Sequence, residues 1–129
     1  NKQLKFFEKD LIDWNLTSAR SKTAQAFYTK LVSLKTKNSA LFNGTAGGAY
    51  TRIKNDSSIM LTYSRTAKSG NKVIVVLNPS SMAIKSRVEF TKDGKTYYRF
   101  SDAAKTKFTG AKVVSLKAWG FEVYSTVKP

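Results

Sequence analysis

AFYTKLVSLKTKNSALFNG, from Ala26 to Gly44, is the stretch on which the fold turns. Ala24, Phe27, Tyr28, Leu31 and Leu34 recur at steps of three or four, the spacing that lines up one face of a helix. Gln25, Lys30, Ser33 and Lys37 fall elsewhere on it. Thr17, Ser18 and Ser21 are candidate caps at its start, because a side-chain oxygen there can accept an unpaired backbone N–H. Lys35 and Lys37 suit the negative end of the helix dipole. Asn38 and Ser39 stop the helix, and Asn43-Gly44 makes a turn.

Beyond Gly44 the period changes from 3.6 to two, the mark of half-buried strands. AYTRIK (Ala49–Lys54) alternates. SIMLTYSR (Ser58–Arg65) puts Ile59, Leu61 and Tyr63 on one face and Met60, Thr62 and Ser64 on the other. KVIVVLN (Lys72–Asn78) is apolar on both, as a central strand should be. IKSRVEF, TYYRF, AKVVSLK and WGFEVYSTV follow. Ser69-Gly70-Asn71, Pro79-Ser80-Ser81 and Thr109-Gly110 separate the runs as turns, and Asp93-Gly94 reads as a hairpin. The expected fold is mainly β: an antiparallel Greek-key β-sandwich of about seven strands preceded by one amphipathic helix.

Upstream, LKFFEKDLIDWNL fits no period. Phe6, Phe7, Leu11, Ile12 and Trp14 would form an apolar patch if left uncovered. The chain has 129 residues, one ordinary domain in size, and starts with Asn rather than Met, as a piece of a longer protein would. No apolar run is long enough for a helical membrane span.

The net charge is +15. Lys outnumbers Arg 18 to 5 and no two basic residues are adjacent, which fits a solvated surface better than the Arg clusters that read nucleic acid. His and Cys are both absent. Histidine-based triads are thereby excluded, as are the usual zinc ligand sets. The acids are too dispersed for a calcium loop. NGTAGG (Asn43–Gly48) lacks the Lys-Ser/Thr ending of a phosphate loop and reads as a flexible connector. Asp10 and Asp13 form a carboxylate pair before the helix and read as surface charges. Asn15, Asn43 and Asn55 each begin an N-glycosylation triplet. Trp119 and Phe121 share a face with Val123 and are expected in the core. Tyr97 alternates with Tyr98 and Phe100 and is expected at the surface, where with Trp14 it could stack on a sugar ring.

Three motifs in order resemble one family. Phe27, Tyr28, Leu31, Leu34, Lys35, Asn38, Ala40, Leu41 and Gly44 fill the pattern of the last barrel helix of the alpha-amylase superfamily. VIVVLNPSS resembles that family's Val-Leu-Asn-Leu-Ser strand, with Pro79 where Leu is usual, and LKAWGFEVY resembles its Leu-x-x-Trp-Gly-x-x-Val-Tyr close. FFEKDLIDW resembles the segment leading into the helix in some bacterial members. The resemblance implies that residues 1–43 are the tail of a catalytic barrel and residues 44–129 its C-terminal β-sandwich. The family's three catalytic acids and its structural calcium lie upstream, so no catalytic residue, metal ligand or cofactor is expected here.

The implied role is a non-catalytic accessory domain of a starch-degrading hydrolase, with Phe27, Leu31 and Leu34 facing the missing barrel. Its implied partner is an upstream β/α barrel in the same chain. An exported location goes with bacterial members of the family. Two other functions compete. One is a carbohydrate-binding module that contacts malto-oligosaccharides through Tyr97 or Trp14. The other, ranked last, is a basic nucleic-acid-binding β domain. With the barrel absent, the helix face is expected to fold onto the sandwich or to meet a second copy through the N-terminal segment.

Overall fold

The computed structural model describes residues 18–129. Helix α1 (Ala19–Lys37) opens on Ser18, whose side chain accepts a hydrogen bond from the Ser21 N–H at 3.1 Å. It ends at Asn38, whose extended backbone breaks the helical turn, and a short 3-10 turn, Ser39–Leu41, follows. Eight strands come next: β1 (Ala49–Arg52), β2 (Leu61–Thr66), β3 (Lys72–Leu77), β4 (Ile84–Val88), β5 (Tyr97–Arg99), β6 (Lys105–Thr106), β7 (Lys112–Leu116) and β8 (Phe121–Ser125). The strand beyond the expected seven is the two-residue β6, too short to show a period.

All pairings are antiparallel. Six strands form a large sheet in the order β1-β2-β3-β8-β5-β6, and β4 and β7 form a small one. Sequence neighbours β3 and β4, β4 and β5, β6 and β7, and β7 and β8 therefore lie in different sheets. This gives the non-sequential pairing of a Greek-key sandwich. The described residues are mainly β, with one α-helix ahead of the sandwich.

The main core lies between the sheets. Met60, Ile74, Val76, Tyr97 and Tyr124 from the large-sheet side meet Val88, Val114 and Leu116 from the small sheet. Phe108 sits among them, stacked on Phe90 at 4.1 Å and edge-on to Tyr97 and Tyr124 at 5.2 and 5.1 Å. Strand β2 turns its more polar side inward. Thr62 is fully buried there, and its hydroxyl donates to the Ile53 carbonyl and accepts from the Asn55 side-chain amide.

Four local expectations are corrected. Tyr97 is buried (0 % exposed), because the strand is covered on both faces: Tyr97 points into the core and Phe100 toward α1. Trp119 is 68 % exposed, in a turn where its φ of 57° takes it out of the strand's alternation, and Phe121 is also exposed, on the outer face. Asp93-Gly94 is not the tip of a hairpin but part of the crossover from β4 in the small sheet to β5 in the large one. NGTAGG is a packed corner rather than a flexible connector. A Cβ on Gly47 would lie 2.1 Å from the Phe42 carbonyl oxygen, and one on Gly48 would lie 2.7 Å from the Thr66 backbone.

Candidate functional site

The large sheet is apolar on its outer face as well. Register places Tyr63, Val75 and Val123 side by side across β2, β3 and β8, with Leu61, Leu77 and Phe121 as the next row. Side chains two apart on a strand share a face, so both rows point away from the small sheet. This is why KVIVVL is hydrophobic throughout: Ile74 and Val76 fill the inter-sheet core, while Val73 and Val75 belong to a second cluster with Ala40 and Ala67.

Helix α1 covers this second face unevenly. Its carboxyl end is locked down. Leu34 is buried, and the fully buried Asn38 donates from Nδ2 to Ser125 Oγ at 2.8 Å and accepts at Oδ1 from the Ala40 N–H. Further up the helix, Phe27 meets Phe100 and Phe121 edge-on, each at 6.0 Å, and Lys30 bonds the Ser101 carbonyl at 2.9 Å while lying over the Phe100 ring. Yet Phe27 and Leu31 remain 38 % and 40 % exposed. Between them and the sheet runs an open groove of about 320 Å³, floored by Tyr63, Val75 and Val123. Leu31 also borders an adjoining cleft of about 310 Å³ beside Lys35 and Arg65.

Of the three residues expected at an interface, Leu34 is thus already consumed by the sandwich, while Phe27 and Leu31 stay half open. Of the two aromatics expected to hold sugar, Tyr97 is withdrawn as buried and Trp14 lies outside the described residues. Exposed aromatics that the sequence reading did not offer for sugar contact include Tyr28 beside the groove on α1, Tyr50 on edge strand β1 with its ring 5.3 Å from Tyr63, and Trp119. The one sequence signal for Trp119 was the Gly that follows it, a turn marker inside an apparent strand.

The titratable groups form clasps rather than a reactive centre. The Asp93 carboxylate accepts from Tyr97 Oη at 2.6 Å, from the Lys95 N–H at 3.1 Å and from Lys72 Nζ at 3.2 Å. Burial there opposes ionisation, but these donors outweigh it and hold the carboxyl below its ordinary 3.8. Burial, then the Asp93 bond, pushes the Tyr97 phenol far above its ordinary 10.0. The Tyr124 phenol, bonded to the Glu122 carboxylate, is raised in the same way, again chiefly by burial. Both phenols stay protonated and give their hydrogens to structural carboxylates. Asn55 likewise spends its amide on Met60 O and Thr62 Oγ1, so this triplet is committed to the fold. Among the described residues no group of three or more His, Cys, Asp or Glu side chains could hold a metal ion.

No protein-family model matches this sequence, and no curated protein is similar to it at a significant level. Two solved structures from Bacteroides fragilis NCTC 9343 are similar over 54 % of this chain. One is described as a "putative alpha-galactosidase" (13 % identity, TM-score 0.44) and the other as a "putative alpha-galactosidase/melibiase" (18 % identity, TM-score 0.43). The match spans 16 % of the length of each of those chains.

Proposed function

We propose that this chain is the non-catalytic accessory domain of an alpha-amylase-type glycoside hydrolase, with residues 1–43 contributed by the end of the catalytic barrel and residues 44–129 forming the sandwich that braces it. The observation that carries the reading is the second apolar face of the large sheet. A free-standing sandwich needs one core; this one has a second, half-closed by a helix that keeps Phe27, Tyr28, Leu31 and Val32 exposed. Tyr28 and Val32 follow Phe27 and Leu31 by one residue and so lie about 100° further round the helix. They form a second apolar strip that a barrel would cover. The ordered motifs in α1, β3 and β8 supply the choice of family, and starch or a related alpha-glucan as the parent's substrate.

The test uses the gene upstream of Asn1. Expected is a β/α barrel with three acids at strand ends and alpha-glucan cleavage by the full-length protein. In that protein Tyr28→Asp with Val32→Asp lowers the thermal midpoint markedly, while the same pair leaves the 129-residue chain unchanged. An upstream sequence that encodes no barrel, or equal shifts in both proteins, overturns the reading.

A further inference from the structure

We propose that the end of the sandwich carrying Met82 and Trp119 docks on an anionic lipid bilayer, with these two side chains entering the headgroup layer and Lys85 and Lys117 meeting lipid phosphates. The proposal goes beyond the accessory-domain reading and does not depend on the identity of a parent enzyme. It concerns the β3–β4 and β7–β8 connections, not the groove under α1. Three observations carry it.

The first is display. Trp119 is 68 % exposed and Met82 is 62 % exposed, and they stand on abutting loops. The Trp119 N–H donates to the Ser80 carbonyl at 2.9 Å. The buried Asn78 donates from Nδ2 to Met82 O at 2.7 Å and to Lys117 O at 2.8 Å, which ties the two loops together. Both apolar side chains therefore project from one braced platform.

The second is backbone strain. Trp119 has a φ of 57°, a region that bulky L residues rarely adopt. The turn is held by Gly120 N–H to Lys117 O and by Asn78 N–H to Gly120 O, each at 2.9 Å. A Cβ on Gly120 would lie 2.8 Å from Lys117 O, so the turn cannot relax around a larger residue there. A costly conformation is thus maintained where its result is an indole in solvent.

The third is charge. Residues 18–129 hold 20 basic residues and five acids. Residues 78–85 and 115–121 contain two lysines and no acid. Lys85 and Lys117 lie on the outer face of the small sheet, alternating with the buried Ser86 and Leu116, and neither has a carboxylate partner among the described residues. The acids are engaged or set apart: Glu122 with Tyr124, Asp102 with Arg99, Asp93 with Lys72, and Asp56 and Glu89 around the far end of β4. An indole has an apolar body and a polar N–H, which suits the boundary between headgroups and acyl chains, and lysines just behind it suit anionic headgroups. A sugar ring could stack on Trp119 but would leave Met82 and both lysines without a role.

In the experiment Trp14→Phe leaves Trp119 as the lone tryptophan. The probes are vesicles of phosphatidylcholine, with or without roughly one third phosphatidylglycerol. Expected is a blue shift of Trp119 emission with the anionic vesicles alone, and quenching by bromine on their acyl chains. Trp119→Gly in the parent chain should lower vesicle co-sedimentation several-fold while the thermal midpoint holds or rises, because glycine accepts this φ freely. Should that variant unfold, Met82→Ser must show the loss instead. Lys85→Glu with Lys117→Glu should weaken binding far more than Lys68→Glu with Lys92→Glu, a pair that changes net charge equally. Vesicle binding without blue shift or bromine quenching overturns the proposal in favour of net charge alone, as does equal weakening by the two lysine pairs. A Trp119 shift with maltoheptaose and none with vesicles overturns it in favour of a glycan site.

Discussion

The two faces of the large sheet start from the same strands and end differently. On the inner face Phe108, Phe90, Tyr97 and Tyr124 interlock and are all buried, because the small sheet closes over them. On the outer face the rows through Val75 and Leu77 are as apolar, but a single helix lies across them, and Phe27, Leu31 and Phe121 stay 38–44 % exposed. Apolar residues alone do not make a core; a second layer must exclude water from them. The inner face is a closed core, while the outer face leaves apolar surface open to solvent.

Three substitutions test that contrast. Phe108→Ala removes the centre of the inner cluster and should cost about 3–5 kcal/mol in urea unfolding, the usual range for a buried aromatic. Asp93→Ala strips Tyr97 and Lys72 of their acceptor at the edge of the same core and should cost about 1–3 kcal/mol. The pH dependence sharpens this second case. The folded-state pKa of Asp93 lies below its unfolded value, so the clasp contributes fully above the ordinary 3.8 and is lost as pH falls toward the folded-state pKa. The acid limb of the stability curve should therefore be steeper in the wild type than in Asp93→Ala. Phe27→Ala on the outer face should cost least, about 1 kcal/mol, since much of that ring already faces solvent. A Phe27 penalty equal to that of Phe108 would mean that the two faces are equally closed, and the contrast would fail.

The sequence showed the elements more clearly than their surroundings. KVIVVL was legible as the central strand because an unbroken apolar run needs cover on both sides, and β3 has it. Asn38 was legible as the helix stop and Ser18 as one of three candidate caps with Thr17 and Ser21, because capping chemistry is local. Tyr97 was not legible. Alternation separates the two faces of a strand but cannot say which is wet, and here neither is. Trp119 failed for a different reason: a left-handed backbone at one residue resets the phase, and nothing in the apolar pattern signals it. Asp93-Gly94 has the composition of a hairpin tip, but long-range pairing of β4 with β7 overrides it. The groove itself was only half legible. Phe27, Leu31 and Leu34 were visible as one stripe, but the sheet beneath them joins the neighbouring strands β2 and β3 to β8, which lies far along the chain.

The uneven seating of α1 has a mechanical consequence. The helix is riveted at Asn38 and Ser125 and held by weaker contacts toward Phe27. Traction applied through the amino terminus loads the loose end first, so the helix peels away contact by contact instead of shearing off at once. Such a joint yields gradually under small forces and spares the sandwich beneath, behaving as a compliant coupling rather than a rigid weld.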